Sequence, residues 1–178
     1  EHDAPFAVYV ASDFASATGR LWCLALERLI ARADCVDAPI AGETTRLDCS
    51  DTNAKSRTFA TMHGWLRSLP SDTDVNRIVS DLCLRHGLDD STIARELCMS
   101  WTELKAFAAD PLVTIGAHTL THCNLAKCSA EAAEREIATS RDTIQARLSA
   151  PALHFAYPYG DRGAAAARDF AIVRRLGF

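Results

Sequence analysis

"PLVTIGAHTLTHCNL", Pro111–Leu125, carries the fold and the chemistry of this chain in one stretch. The segment "LVTIGA" is a short run with β-branched residues, bounded by Pro111 and Gly116, as a buried strand is. Two histidines, His118 and His122, follow it directly, with Thr119 and Thr121 between them. On a helix this spacing puts both rings on one face. At a strand end running into a loop, both can still converge on one point. Two neutral imidazoles aimed at a common centre suit a divalent metal, and the plainer alternative is a solvated pair in a loop.

Working outward, "SAEAAEREIATSRDTIQARL" predicts a helix. Ser129 can cap it, Glu131 and Glu134 sit in the positive first turn, and Ala133, Ile137, Ile144 and Leu148 share the inward face. "ALHFAYP" predicts another strand and "AAAARDFAIVRRLGF" another helix. This order of strand, helix, strand, helix implies parallel strands joined by crossover helices, an α/β architecture. Upstream, "PFAVYVA" alternates as a strand does. From Gly19 the period becomes helical in "RLWCLALERLIARA", in "SRTFATMHGWLRSL" with Phe59, Met62, Leu66 and Leu69 on one face, and in "DVNRIVSDLCLRHG", ended by Gly87. Within that block, "DCVDAPIAGETTRLDCS" predicts a hairpin about a Gly-Glu turn. "MSWTELKAFAAD" opens with a capping box, Ser100 to Glu103. A helical insertion from about residue 19 to 108 is expected between two strands of one domain spanning 1–178.

A net charge of −4 offers no basic patch, which argues against nucleic acid as a partner. No apolar stretch approaches the roughly 18 residues that span a bilayer, and no signal peptide is visible. The seven cysteines are an odd number, and a domain of this size needs no staples, so buried thiols are expected. Unpaired thiols lean towards a cytoplasmic setting. The compartment is otherwise open. The chain reads as an internal fragment, because a strand begins within its first residues. His2, His63 and His86 lie in terminal or helical segments and read as solvated. Cys123 and Cys128 could join His118 and His122 in a closed structural zinc site, although adjacent His122 and Cys123 rarely reach one metal together.

Chemistry in such folds collects at the carboxyl ends of the strands. There the histidine pair follows one strand, and "YPYG", Tyr157–Gly160, follows the next. A turn of this kind exposes backbone N–H groups, notably that of Tyr159, which can face a developing oxyanion. Taken alone it is an ordinary β-turn with two tyrosines.

"TIGAHTLTHCNL" followed one helix later by "FAYPYG" closely resembles the polysaccharide deacetylases of the NodB-homology type, carbohydrate esterase family 4. His118-Thr119-Leu120-Thr121-His122 matches that family's second motif, and Tyr157-Pro158-Tyr159-Gly160 matches the core of its third. The likeness is strong from Met99 onward and loose across the helical block. It implies a partial (β/α) barrel carrying the helical insertion. It further implies a hydrolase that removes N-acetyl groups from amino-sugar polymers or oligosaccharides. His118 and His122 would be two of three protein ligands to a divalent metal, most commonly zinc. The third ligand and the general base would come from an upstream Asp-Asp motif, and the Tyr159 N–H would hold the oxyanion. Tyr157, Pro158 and Tyr159 would line the substrate, while Thr119 and Thr121 would orient the loop.

The chain departs from the family in three places. No Asp-Asp motif precedes "PFAVYV", no later motif with a general-acid His is present, and Ala156 stands where the third motif carries Arg. "LDD", Leu88–Asp90, has no strand ahead of it and reads as a helix-entry cap. Among the remaining carboxylates, Asp13 after the opening strand and Asp161 after the turn are the nearest substitutes. The expectation is a fragment inactive by itself. A carbohydrate-binding module on the same fold and a scaffold with a structural zinc are the alternatives. Self-association through the apolar faces of the helical insertion is a further expectation.

Overall fold

The computed structural model describes residues 3–178, so His2 lies outside the described residues. The chain divides into two compact units. The first joins residues 1–19 to 94–178, and the second is Arg20–Ile93.

The first unit opens with strand β1, Phe6–Val10, and a single helical turn, α1, Ser12–Ala15. The second unit contains α2 (Trp22–Arg32), the hairpin strands β2 (Cys35–Ile40) and β3 (Glu43–Asp48), and helices α3 (Thr52–Ser68) and α4 (Asp72–Arg85). The chain then passes through α5 (Ile93–Leu97) and α6 (Trp101–Phe107) to strand β4 (Val113–Ala117). Helices α7 (Ala130–Leu148) and α8 (Ala167–Arg175) complete the first unit.

β1 and β4 are parallel, with Val8 opposite Ile115 and Val10 opposite Ala117. The expected strand "ALHFAYP" forms only a single parallel bridge, Phe155 to Ala117. Ala117 N–H donates to the His154 carbonyl at 2.8 Å, and Ala156 N–H donates to the Ala117 carbonyl at 3.0 Å. Pro151 precedes this segment and Pro158 ends it, and a proline cannot extend a ladder of N–H donors. The expected strand–helix–strand order through α7 thus stands, with its third strand cut to a bridge.

Val10, Leu104, Ile115, Ala117 and Ile144 form one core cluster, which places α6 and α7 against the β1–β4 pair. A second cluster joins Cys123, Leu125, Ala133, Ile137 and Ile172 beneath the loop that follows β4. The helical block was expected to reach residue 108. The second unit stops at Ile93 instead, because α6 buries Leu104 in the core of the first unit. The Ser100 capping box forms: Glu103 N–H donates to Ser100 Oγ, and Ser100 N–H donates to Glu103 Oε2 at 2.7 Å.

In the second unit α2 packs against α3 and α4. Buried Ala25, Leu26, Leu29, Met62, Leu66, Val75, Val79 and Leu82 recur at helical spacing. The hairpin turns at Ala41-Gly42 rather than at Gly-Glu, with Glu43 already paired to Ile40. Both turn residues have positive φ, 54° and 88°, the geometry that matches the twist of a two-residue hairpin loop. His63 is not simply solvated. Its ring stacks on Trp22 and on Phe59, at centroid distances of 5.3 and 5.5 Å.

Candidate functional site

The parallel pairing of β1 and β4 brings their two exits together. His118 N–H donates to the Val10 carbonyl at 3.1 Å, and Asp13 N–H donates to the Leu120 carbonyl at 2.9 Å. The loop after β4 therefore runs alongside α1. Its histidines converge: the rings of His118 and His122 meet edge-to-face at 4.9 Å between centroids. His122 also lies 5.2 Å from the Tyr159 ring and 5.8 Å from that of Phe14. The loop after β4, the turn at Tyr157–Gly160 and α1 thus supply one constellation of four rings.

His118 Nδ1 lies 2.8 Å from the Ala156 carbonyl oxygen. A carbonyl only accepts, so Nδ1 carries the proton and Nε2 keeps its lone pair. An outer-shell carbonyl commonly fixes the tautomer of a metal-ligating imidazole in this way. Ala156, where the family pattern has Arg, contributes through its backbone. Burial holds the His118 imidazole below its ordinary pKa, with the Ala156 hydrogen bond acting in the opposite sense. The neutral form that a ligand needs is the favoured one.

The backbone at this site is strained. Thr119, His122 and Tyr159 have φ of 64°, 63° and 68°. A β-branched residue in that region is an outlier, and such positions cost of order 1–3 kcal/mol each. Around Tyr159, Gly160 N–H donates to the Pro158 carbonyl at 2.9 Å, closing a three-residue turn.

What offsets this strain at the histidine loop is Glu136 on α7. Its carboxylate accepts from Leu120 N–H at 3.0 Å, Thr121 N–H at 2.9 Å and Thr121 Oγ1 at 3.0 Å. Thr121 is thus tied to helix α7 through both its N–H and its hydroxyl. Thr119 Oγ1 is buried and has no hydrogen-bond partner among the described residues. Nearby, Asp13 has its carboxyl pKa raised by burial and then by the Glu136 charge, with Thr18 opposing. Glu136 and Phe14 were missed in the sequence. For Glu136 a signal existed: it falls between Ala133 and Ser140, on the stripe that α7 buries.

The Tyr157 ring meets Phe155 at 5.0 Å and packs against the second core cluster, and it meets the exposed Phe170 ring at 5.1 Å. Burial, and then the charge of Asp169, push its phenol pKa up. Pro158 is buried, and Tyr159 is the tyrosine beside His122. Cys123 is buried in the cluster of Leu125 and Ile137, its sulfur 3.8 Å from that of Cys128. That contact, and then burial, push the Cys123 thiol far up. The rival four-ligand zinc set, joining these two sulfurs to His118 and His122, is not formed among the described residues. Among the described residues, no group of three or more His, Cys, Asp or Glu is arranged to hold a metal ion. His118 and His122 fit such an ion as two nitrogen donors, one ligand short of a usual three-residue set.

One comparison gives the class of protein, a carbohydrate-related hydrolase. The model of the family described as polysaccharide deacetylase matches residues 57–178, the stretch that contains both loops. The chain belongs to the polysaccharide deacetylase family, with a domain of the NodB type. That family acts on N-acetylated carbohydrates. Comparison with curated proteins and with solved structures finds no match. Among the described residues, no helix is long and apolar enough to cross a membrane.

Proposed function

We propose that the first unit carries part of the active site of a metal-dependent deacetylase, acting on N-acetyl groups of amino-sugar poly- or oligosaccharides. The supporting observation is the convergence of His118 and His122, with His118 Nδ1 engaged by the Ala156 carbonyl so that Nε2 is left to ligate. A divalent ion held there, zinc by the chemistry of paired imidazoles, supplies Lewis-acid chemistry to an acetamide carbonyl. His118 and His122 hold the ion, and the Tyr159 N–H serves as oxyanion donor in the strained turn. Tyr159, with Pro158 behind it, faces the sugar. Tyr157 supports the turn from the core side. Thr121, gripped by Glu136, fixes the angle at which His122 is presented. The fold that suits this reading is a partial (β/α) barrel, of which β1, β4 and the Phe155 bridge are adjacent staves.

Two imidazoles leave an ion one carboxylate short, and without a general base a hydrolysis loses about 10²–10⁴ in rate. The chain by itself should therefore bind zinc weakly and release acetate slowly. The test is acetate release from acetylated chito-oligosaccharides, with and without zinc, comparing this chain with one extended upstream. Zinc-dependent release by the extended chain, lost in His118→Ala and kept in His63→Ala, is the expected result. Zinc-independent release, or release that survives His118→Ala, would overturn the reading. The two-donor set also favours a second reading, a carbohydrate-binding module without turnover. Oligosaccharide binding by both chains with no acetate release would select it.

A further inference from the structure

We propose that Cys123 and Cys128 are a dithiol–disulfide redox pair, oxidised by low-molecular-weight disulfides, whose closure ties the exit of the histidine loop to the start of α7. The two sulfurs already touch, at 3.8 Å. A disulfide requires about 2.05 Å, so the two sulfurs have to draw closer for the bond to form. The backbone between them is ordered for this. Lys127 N–H donates to the Asn124 carbonyl and Cys128 N–H to the Leu125 carbonyl, both at 3.0 Å, which folds the segment into a tight turn. Arg168 on α8 pins the same turn, donating to the Leu125 carbonyl at 2.9 Å and also to that of Cys128. The sulfurs are thus held as neighbours by contacts that do not depend on them. This pair is independent of the metal reading.

Exposure sets the order of events. Cys128 is partly exposed, whereas Cys123 is only 8% exposed. Cys128 gives its proton to solvent, and its sulfur attacks one sulfur of the oxidant R–S–S–R. A mixed disulfide forms and one RS⁻ leaves. The Cys123 sulfur, 3.8 Å away, then attacks the Cys128 sulfur: the Cys123–Cys128 bond forms, the bond to the oxidant's sulfur breaks, and the second thiol leaves as RSH with the Cys123 proton. The pair has lost two electrons and two protons, and the oxidant has become two thiols. The new bond would join the residue after His122 to the residue before Ser129, which caps α7 through Ala132 N–H.

The experiment is to expose the reduced, folded chain to oxidised glutathione, block the remaining thiols and map disulfides by peptide mass spectrometry. The wild-type chain should lose two of its seven titratable thiols, yield a 123–128 cross-link and recover both thiols on reduction. Cys123→Ser should instead trap a glutathione adduct on Cys128, and Cys128→Ser should gain no adduct on Cys123. A lasting glutathione adduct in the wild type, or a cross-link from either cysteine to another residue, would overturn the proposal. Should a variant not fold, as read by circular dichroism, the wild-type map alone decides between these results.

Discussion

Glu136 holds Thr121 at two points: one carboxylate oxygen accepts its N–H at 2.9 Å and the other accepts its hydroxyl at 3.0 Å. The donors sit in a loop with two left-handed residues, so the carboxylate supplies the enthalpy that keeps the loop in that shape. Glu136→Ala should destabilise the chain by about 1.5–3 kcal/mol, the usual worth of hydrogen bonds to a charged group. Faster amide exchange should be confined to Leu120, Thr121 and their neighbours. Uniform acceleration across α7 would show that Glu136 serves the helix rather than the loop.

Gly116 lets three segments meet at one point of β4. A Cβ there would stand 2.6 Å from ring atoms of Tyr9 and 2.9 Å from the His154 carbonyl oxygen. Gly116→Ala should therefore cost about 1–3 kcal/mol by overpacking, read as a lower denaturation midpoint. Shrinking the ring in Tyr9→Ala should relieve only part of that loss, because the backbone carbonyl of His154 cannot retreat without breaking its bond to Ala117. Complete rescue would place the whole clash in the ring.

His63 stacks between Trp22 and Phe59, and burial followed by the Arg67 charge lowers its pKa below the ordinary 6.5. A histidine lowered on folding binds its proton better in the unfolded chain, so stability rises with pH across this window. Its contribution is fully present above about pH 6.5 and is lost as pH falls towards the folded-state pKa. Urea unfolding between pH 5 and pH 8 should show this slope. His63→Phe should flatten it while leaving stability near pH 8 little changed.

Asp51 caps α3 by accepting the Ala54 N–H at 2.7 Å. Asp51→Ala should cost about 1 kcal/mol, and Asp51→Ser should recover most of it, since either side chain can serve an N-cap. Equal losses in both variants would assign the effect to something other than the cap.

The sequence by itself determined the elements whose signals are local. Ser100 with Glu103, Ser129 before "AEAAERE", and the apolar stripes of α2, α3 and α4 announce helices because capping and burial repeat within a few residues. The position of His118 and His122 directly after β4 was legible in the same way, as was the turn at Tyr157–Gly160 in the next strand-end loop. The tertiary structure decided what depends on distant partners. "ALHFAYP" has the composition of a strand but pairs only about Ala117, because strand length is set by the neighbour and by the prolines at its ends. α6 belongs to the first unit because Leu104 finds Ile115 and Ile144, residues far along the chain. Of two tyrosines in one turn, the left-handed backbone at Tyr159 sends one ring to His122, while Tyr157 joins the core. Phe14 and the Ala156 carbonyl reach the histidines through space and leave no spacing for a sequence pattern to record. The place of Glu136 on the buried stripe of α7 was legible, but its hold on Leu120 and Thr121 was not. Local periodicity fixes which segments fold into which elements, and only the packing of those elements fixes which side chains meet.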